Sequence, residues 1–262
     1  HINLIMFCIF PILSGKKVIL LNYGLEIWGI EKNFLYKWLI KKIPFFICMR
    51  EFTKKKLIRK YKLKEKIFFD LPNAIKFRNI KISKKKTNDL ITVARLDSSE
   101  KYKGIDETLE VMAKMSKINF KYKIIGDGDD KMRLILKAKS LGCLKHVNFY
   151  GKISDKKRDI LLKNSKIMIM PGSDKTYDTY PFRFIFLEAA EFGLYIIGSN
   201  PPEKKEKNLE KKYLTFNFVN PKDKNNIINL IKKLQKKNKI KDKNLFKDFS
   251  IKSFDKNLSK II

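Results

Sequence analysis

The 262-residue sequence predicts an α/β protein with parallel sheets and crossover helices. Short runs of β-branched and aromatic residues alternate along the chain with longer segments in which apolar residues recur at helical spacing. Hydrophobic residues make up 44% of the chain, which is typical of a globular protein with a buried core. The length indicates one large domain or two modest ones.

The β-branched and aromatic runs predict nine strands. In chain order they are Val18 to Asn22, Phe45 to Met49, Lys66 to Phe69, Leu90 to Val93, Tyr122 to Ile125, Val147 to Tyr150, Ile167 to Met170, Tyr195 to Ile197 and Tyr213 to Phe216. Helical spacing fills most of the gaps. The expected helices are Glu31 to Lys42, Thr53 to Tyr61, Ile105 to Met115, Asp129 to Leu141, Asp155 to Lys163, Arg183 to Phe192, Asp223 to Lys236 and Ser253 to Ile262.

The stretch from Phe77 to Asp89 combines a charge run with polar residues and lacks apolar periodicity, so it is the expected linker. The chain then divides into a first domain at 1–80, a second domain at 81–240, and a C-terminal helical segment at 241–262 that is expected to pack back on the first domain. In parallel α/β sheets, ligands bind beyond the carboxyl ends of the strands. The chemistry is therefore expected in the loops that follow strands.

The chain is strongly basic, with 59 Lys and Arg against 27 Asp and Glu and a formal net charge of +32. Such a charge attracts phosphate-rich partners, among them nucleic acid, anionic lipid and nucleotide-sugar. The lysines are scattered and form no single stripe, which argues against a nucleic-acid-binding protein and indicates a compositional bias. Cys8, Cys48 and Cys143 are far apart and odd in number, which is typical of a reducing compartment.

No apolar run is long enough to span a membrane. The run from Ile2 to Leu13 is broken by Pro11 and is expected to be a core element. The helix Glu31 to Lys42 sets apolar side chains beside lysines, as a helix lying on an anionic membrane surface does, although an amphipathic helix packed on its own sheet has the same pattern. The apolar side chains concerned are Phe34, Leu35, Trp38 and Leu39. We expect a cytoplasmic protein, either free or peripheral on the inner face of the membrane.

The loop that follows strand Leu90 to Val93 carries Arg95 and Lys103 and ends at Gly104, where a helix begins. A guanidinium and an ammonium group that converge at a helix N-terminus suit a diphosphate, and the glycine lets the backbone approach it. In so basic a chain, two such cations are also compatible with an ordinary solvated surface.

Glycines follow the next two strands. Gly126 and Gly128 follow one strand, and Gly151, Lys152 and Ile153 follow the next. The glycines among them are interpreted first as turn residues, and they also bring backbone N–H groups toward a ligand. A Gly-x-Gly without a third glycine is a weak signal for nucleotide binding.

Glu188 lies in a predicted helix whose preceding residues, Phe184 to Leu187, are all apolar. A carboxylate in such a run needs a partner, and the two hydroxyls of a ribose are suitable donors. The alternative is that Glu188 simply faces solvent.

These segments, in this order, resemble the retaining glycosyltransferase family 4. The motifs that carry the resemblance are Ala94-Arg95-Leu96 with Lys103-Gly104, Gly126-Asp127-Gly128, Val147-Asn148-Phe149-Tyr150-Gly151, Met170-Pro171-Gly172-Ser173 and Glu188-Ala189-Ala190. Each motif is weak alone, and their ordered set is specific. The resemblance implies two Rossmann-like β/α/β domains of the GT-B type, the first only partly present. Because the chain also begins with His1, we expect a fragment.

The resemblance also implies roles for individual residues. Arg95 and Lys103, with Gly104, would hold the donor diphosphate, and Glu188 would hold the ribose hydroxyls. The turn residues Gly126, Gly128, Gly151, Lys152 and Ile153 would lie near the donor base. Neither a metal nor a cofactor is expected, because the two cations neutralise the diphosphate.

Two positions depart from the family pattern. Tyr23 stands where a His near the reacting sugar is usual, and Tyr180 stands where the first Glu of a pair is usual, eight positions before Glu188. Asp178 is the nearest carboxylate that could replace that Glu. Asp178 and Tyr180 are therefore the candidate catalytic residues.

The function implied by the resemblance is transfer of a sugar, with retention, from a nucleotide-diphosphate donor to a glycan or lipid-linked acceptor in polysaccharide, glycolipid or glycoprotein synthesis. The departures at Tyr23 and Tyr180 leave open a non-catalytic nucleotide-sugar-binding or scaffolding protein. A basic nucleic-acid-binding protein is a third alternative, suggested by charge alone.

Overall fold

The computed structural model describes residues 2–22, 34–49, 51–71, 73–78, 80–83, 85–115, 118–172, 184–201, 209–238 and 241–261. The chain divides into two compact units, His1–Ala74 with Phe249–Ile262 and Ile75–Asp248. The sequence placed the boundary at 80/81, whereas residues 75–80 cluster with the second unit. Of the C-terminal segment, residues 249–262 cluster with the first unit and residues 241–248 with the second.

Strands and helices alternate in both units, as the sequence predicted. The strands are β1 (Ile19–Asn22), β2 (Phe45–Cys48), β3 (Ile67–Asp70), β4 (Leu90–Val93), β5 (Tyr122–Ile125), β6 (Val147–Phe149), β7 (Ile167–Met170), β8 (Tyr195–Ser199) and β9 (Phe216–Val219). The α-helices are α1 (Ile9–Leu13), α2 (Phe34–Lys42), α3 (Glu51–Tyr61), α4 (Ile105–Lys114), α5 (Lys131–Ser140), α6 (Asp155–Asn164), α7 (Phe184–Glu191), α8 (Leu209–Lys212), α9 (Lys224–Lys236), α10 (Lys243–Asp248) and α11 (Ile251–Leu258).

The first unit contains a three-stranded parallel sheet in the order β1-β2-β3. Neighbouring aromatic residues stabilise it, since the rings of Phe46 on β2 and Phe68 on β3 pair in register and stack with centroids 5.1 Å apart. Leu39 and Ile40 of α2 and Leu57 of α3 are fully buried in the same core. Burial of these apolar faces against the sheet is what holds the two helices in place.

The apolar run at the start of the chain has two faces. It forms a 3₁₀-helix at Ile2–Cys8 followed by α1. Ile5 is completely buried in the core, whereas the side chains of Phe7 and Phe10 are 79% and 78% exposed. The prediction of a core element is therefore right for Ile5 and wrong for Phe7 and Phe10, because only one face of so short a helical segment can meet the core.

Helix α2 also exposes apolar side chains. Its buried residues are Tyr36, Leu39 and Ile40, so Leu39 contributes to the core and not to the surface. Phe34 and Trp38 are exposed, as a surface-binding helix requires. Residues 31–33, predicted as the start of this helix, lie outside the described residues. In the part of the chain that the structure describes, no helix is both long and apolar enough to cross a membrane.

The second unit contains a six-stranded parallel sheet in the order β6-β5-β4-β7-β8-β9. The direction of strand order reverses between β4 and β7, which is the position where sheets of this kind bind ligands. Strands β4, β5 and β7 are confirmed residue for residue. They lie in the interior of the sheet and are buried on both faces, so apolar residues predominate in their sequences. The exception is Lys123 of β5, which is buried and pairs with Asp89 at 2.6 Å.

The other elements differ from prediction for local reasons. Strand β9 begins at Phe216, where the sequence predicted an end, because residues 214–215 form a turn. The Tyr213 hydroxyl before this turn donates a hydrogen bond of 2.6 Å to the Asp248 carboxylate. The short helix α8 was not predicted, since it is not long enough to show apolar periodicity. Helix α10 lies within the segment 241–262 that was expected to be helical, although no helix was given bounds there. Ser154 is the N-cap of α6, and its side chain accepts a hydrogen bond from the Lys157 N–H.

The segment from Phe77 to Asp89 is not an unattached linker. The Arg78 guanidinium lies 2.6 Å from the Asp159 carboxylate and 3.4 Å from that of Glu191. Asp89 is buried and accepts a hydrogen bond from the Lys121 N–H. The charged residues that indicated a linker therefore have partners elsewhere in the second unit, and a single sequence does not display such long-range pairs.

Helices α4 and α5 are joined by a charged cluster around Asp106. Arg133 donates to both carboxylate oxygens of Asp106, at 2.8 and 2.7 Å, and Lys137 lies 2.8 Å from it. Burial would raise the pKa of Asp106, but the hydrogen bonds from Arg133 and Lys137 prevail and lower it to about 2. The ionised carboxylate thus stabilises the contact between the two helices.

Replacing Asp106 with Asn is expected to lower the free energy of unfolding by about 2 kcal/mol at neutral pH, the equivalent of its pKa depression. The pKa is lower in the folded than in the unfolded chain, so the contribution is complete above the ordinary pKa of 3.8 and is lost as the pH falls through about 2. Urea unfolding at several pH values measures it. Asp255→Asn, at an exposed carboxylate, is the control. Equal losses for the two variants would contradict the assignment.

Candidate functional site

The loops after β4, β5 and β6 run side by side at the carboxyl edge of the second unit's sheet. The Leu96 N–H donates to the Asp127 carbonyl at 3.0 Å, and the Gly126 N–H donates to the Gly151 carbonyl at 2.9 Å. These hydrogen bonds extend the pairing of the strands into their loops. The predicted turn residues are therefore brought together on one surface beside the reversal of strand order.

The loops after β4 and β7 approach each other through two glycines. A Cβ atom on Gly172 would lie 1.8 Å from the Tyr102 carbonyl oxygen, and one on Gly104 would lie 2.3 Å from the Gly172 nitrogen. Gly104 also has a φ of 82°, which glycine adopts most readily. Contact between backbones, and not only approach of a ligand, is thus the reason for glycine at these positions.

Gly126 and Gly128 have the same explanation. Added Cβ atoms would lie 1.8 Å from the Ala94 carbonyl oxygen and 2.2 Å from that of Leu96. From the sequence, this pair was interpreted as turn glycines that also let a ligand approach. The geometry shows that the space beside them is occupied by the backbone of the neighbouring loop.

Arg95 and Lys103 converge on one carboxylate. The loop between them forms a 3₁₀-helix at Ser98–Lys103, whose start is capped by Asp97. The guanidinium of Arg95 pairs with Glu100, and the ammonium of Lys103 lies 4.0 Å from the second oxygen of that carboxylate. Glu100 is buried, whereas 75% of the Arg95 side chain is exposed. The structure therefore brings the two predicted cations together.

Glu100 was missed by the sequence analysis. Its signal is an acidic residue between two cations in a loop that follows a buried strand. In a loop that also contains Asp97 and Lys101, that signal does not stand out.

A cavity of about 410 Å³ lies between these loops and helices α6 and α7. The predicted site residues that line it are Arg95, Gly126, Gly151, Lys152 and Ile153. The other lining residues include Val93, Ile125 and Ile185, so the walls are largely apolar with a few polar groups at defined places. Such a lining is typical of a pocket for a small organic ligand. Gly128, Lys103 and Gly104 lie outside the lining.

Glu188 lies on α7 one turn after Ile185, on the same face of the helix. Its side chain is 32% exposed, and a carboxylate oxygen lies 3.7 Å from the Arg158 guanidinium, which lines the cavity. Burial raises the pKa of Glu188, and the positive charges of Arg158 and Arg78 oppose that rise. Glu188 is thus half-buried and paired, in contrast to the alternative of a solvent-facing carboxylate.

The candidate catalytic residues Asp178 and Tyr180, together with Tyr23, lie outside the described residues. Among the residues that the structure does describe, no three His, Cys, Asp or Glu side chains are grouped as metal ligands would be. The described part of the site therefore consists of cations, glycines, the buried Glu100, the half-buried Glu188 and a cavity whose lining also includes Asp127 and Asp155.

Solved glycosyltransferases share this fold. The galactosyltransferase WaaB of the lipopolysaccharide outer core is 14% identical with a TM-score of 0.67, over 98% of this chain and 72% of WaaB. HepE of Anabaena in complex with UDP and glucose is 13% identical with a TM-score of 0.74, over 100% of this chain and 75% of HepE. A glycosyltransferase from Rickettsia africae is 17% identical with a TM-score of 0.69, over 92% and 69% of the two chains.

At these identities the likeness shows the fold, which is the α/β fold of the GT-B glycosyltransferases. The sequence shows the family. The family model described as glycosyl transferases group 1 matches residues 73–248. The chain belongs to this family and is a glycosyltransferase. No curated protein matches the chain in sequence.

Replacing Gly172 with Ala is expected to destabilise the protein by about 1–3 kcal/mol, because the new methyl group overlaps the Tyr102 carbonyl and the loops must separate. Gly198→Ala is the matched control. Its methyl group would lie 3.6 Å from the Phe186 ring, an ordinary van der Waals distance. Urea unfolding of both variants measures the difference, and a Gly172→Ala protein as stable as Gly198→Ala would contradict the close contact.

Proposed function

We propose that the second unit binds a nucleotide-diphosphate sugar and that the chain transfers the sugar, with retention, to a glycan or lipid-linked acceptor, as in the retaining glycosyltransferase family 4. The observation that carries the proposal is the joint placement of Arg95 and Lys103 on Glu100, beside a cavity that is lined by Arg95 and by Arg158, the ion-pair partner of Glu188. Cations for a diphosphate and a carboxylate for a ribose are thus held at one site.

In this proposal the donor diphosphate is held by Arg95 and Lys103 at the N-terminal end of α4, next to Gly104. The guanidinium and the ammonium neutralise the charge, and the helix N-terminus adds partial positive charge. Since 75% of the Arg95 side chain is exposed, it can turn from Glu100 to a phosphate without a change of the backbone. The two cations take the place of a metal, and no cofactor takes part.

The ribose and base occupy the cavity in the same proposal. The Glu188 carboxylate accepts hydrogen bonds from the ribose hydroxyls, and the turn from Gly151 to Ile153 lies along the base. The apolar walls suit a planar ring, which loses contact with water there. The structure of HepE in complex with UDP and glucose supports a nucleotide-sugar as donor.

For the transfer itself we propose that the acceptor attacks the donor sugar on the same face from which the nucleotide diphosphate departs. Arg95 and Lys103 stabilise the departing diphosphate, where negative charge develops in the transition state. Asp178 and Tyr180 remain the candidate residues near the reacting sugar. The catalytic contribution of the described residues is therefore electrostatic, and none of them is proposed as a covalent nucleophile.

A donor screen by thermal shift tests the binding site. Arg95→Ala and Glu188→Ala are each expected to weaken donor binding about tenfold or more, because each removes a charge-assisted hydrogen bond. Lys101→Ala, an exposed lysine of the same loop, is the control and should bind the donor as the unmodified protein does. A donor shift that survives both substitutions would refute the proposed site.

Assays of donor hydrolysis and sugar transfer separate transfer from binding alone. Product of retained anomeric configuration supports the full proposal. Tight donor binding without turnover on any glycan or lipid-linked acceptor would favour the non-catalytic nucleotide-sugar-binding or scaffolding alternative, to which Tyr23 and Tyr180 first pointed.

We also propose that α2 contacts an anionic membrane surface on the cytoplasmic side. Phe34 and Trp38 are exposed one turn apart, and Lys37, Lys41 and Lys42 lie on the same helix. Phe34→Ser with Trp38→Ser is expected to abolish sedimentation with phosphatidylglycerol vesicles. Met132→Ser with Leu136→Ser, an exposed pair of equal spacing on α5, is the control. Equal partitioning to anionic and zwitterionic vesicles would remove the proposal.

A further inference from the structure

Glu188 is the first member of a chain of charged groups that extends away from the cavity. Its carboxylate lies 3.7 Å from Arg158, and Arg158 in turn lies 3.2 Å from Asp159. Arg78 then lies 2.6 Å from Asp159 and 3.4 Å from Glu191. Acid and base alternate along this chain, so each group compensates the charge of its neighbours.

Arg158 lies in the first turn of α6, where the helix dipole disfavours positive charge. The carboxylates of Asp155, Asp159 and Glu188, at 3.0, 3.2 and 3.7 Å, offset that cost. The side chain is only 24% exposed and lines the cavity together with the turn residues Gly151, Lys152 and Ile153. A cation so placed acts on whatever the cavity and Glu188 bind.

We propose that Arg158 is a positioning residue for the nucleotide: it holds the Glu188 carboxylate beside the cavity in ionised form, so that recognition of the ribose hydroxyls depends on Arg158. This inference rests on the proposed function, in which Glu188 binds the ribose.

The electrostatics around Glu188 give the direction of the effect. Burial raises the pKa of Glu188, and the carboxylates of Asp159 and Asp155 raise it further. Arg158 is the largest opposing influence, followed by Arg78. Without Arg158, burial and two neighbouring carboxylates act against Arg78 alone, and Glu188 takes up a proton at a higher pH. A protonated Glu188 is a poorer acceptor for two hydroxyl donors.

Nucleotide affinities test this role. The variants are Arg158→Met, Arg158→Gln and Arg158→Lys, with Lys156→Met as a control that removes an exposed cation from the same helix. The probes are UDP, ADP and GDP, each paired with its 2′-deoxy counterpart. Dissociation constants are measured by calorimetry from about pH 8 to about pH 5.5, a range in which a raised carboxyl pKa is visible. Circular dichroism verifies that each variant is folded, and Arg158→Gln replaces Arg158→Met if the latter is not.

Arg158→Met is expected to weaken binding of the preferred ribonucleotide about tenfold, the size of a lost charge-assisted interaction, and more so as the pH falls. The deoxynucleotide should change much less, so the preference for ribose shrinks. Arg158→Lys should restore most of that preference because it keeps the charge. Lys156→Met should bind as the unmodified protein does.

Equal weakening of ribo- and deoxynucleotides at every pH would overturn the inference, since it indicates support of the fold or contact with another part of the ligand. An unchanged ribose preference in Arg158→Met would overturn it as well. Glu188→Gln separates this failure from that of the proposed function. If Glu188→Gln loses the ribose preference and Arg158→Met keeps it, only the present inference fails. If Glu188→Gln keeps the preference, or no nucleotide binds, both fail.

Discussion

The site depends on the contact between two stretches of backbone, at Gly104 and Gly172, where the order of strands reverses. Strands β4 and β7 are neighbours in the sheet, so their loops leave its carboxyl edge side by side. With glycine at both positions the loops touch, and α4 can begin directly at that contact. The 3₁₀-helix that carries Glu100 and Lys103 is thereby fixed against the rest of the sheet. A side chain at either glycine would separate the loops and move both cations.

The chain has 59 basic and 27 acidic residues, and a few carboxylates are the groups around which the cations of the second unit are arranged. Glu100 holds two cations at the site, Asp106 joins α4 to α5 through Arg133 and Lys137, and Glu188 pairs with Arg158. Each of these carboxylates is buried or half-buried, where charge interactions are weakly screened. Most lysines, by contrast, are exposed and contribute to net charge more than to structure. This is why total charge was a poor guide to function and the location of a few acids is a good one.

The sequence predicted the middle of the second unit well and its margins less well. Strands β4, β5 and β7 were right in every residue, because burial on both faces leaves mostly β-branched and other apolar residues bounded by polar loops. At the edge of the sheet, β9 was misplaced by the apolar turn at Tyr213. The cavity is lined by Arg95, Lys152 and Ile153, which the sequence had named as candidates, Arg95 because it follows a strand and the other two through the family resemblance. Glu100 was not named because it is one of several charged residues in its own loop. Arg158 was not named because its partner Glu188 lies on another helix, which only the fold brings near.

In both charged parts of the site, a buried or half-buried charged group holds a group of opposite charge, and the signs of the two charges are exchanged between the two parts. In the proposed function, a buried acid holds Arg95 and Lys103 for a ligand that is an anion. In the same proposal, a half-buried cation holds Glu188 for a ligand that donates hydrogen bonds. In both cases the group that meets the ligand is held by an opposite charge that is more buried than itself, so the desolvation cost of that holding charge is met within the protein before the ligand arrives. Preorganisation of this kind lowers the cost of ordering side chains on binding. In the proposed function, Glu100 and Arg158, which were not among the predicted site residues, thus hold the groups that meet the ligand.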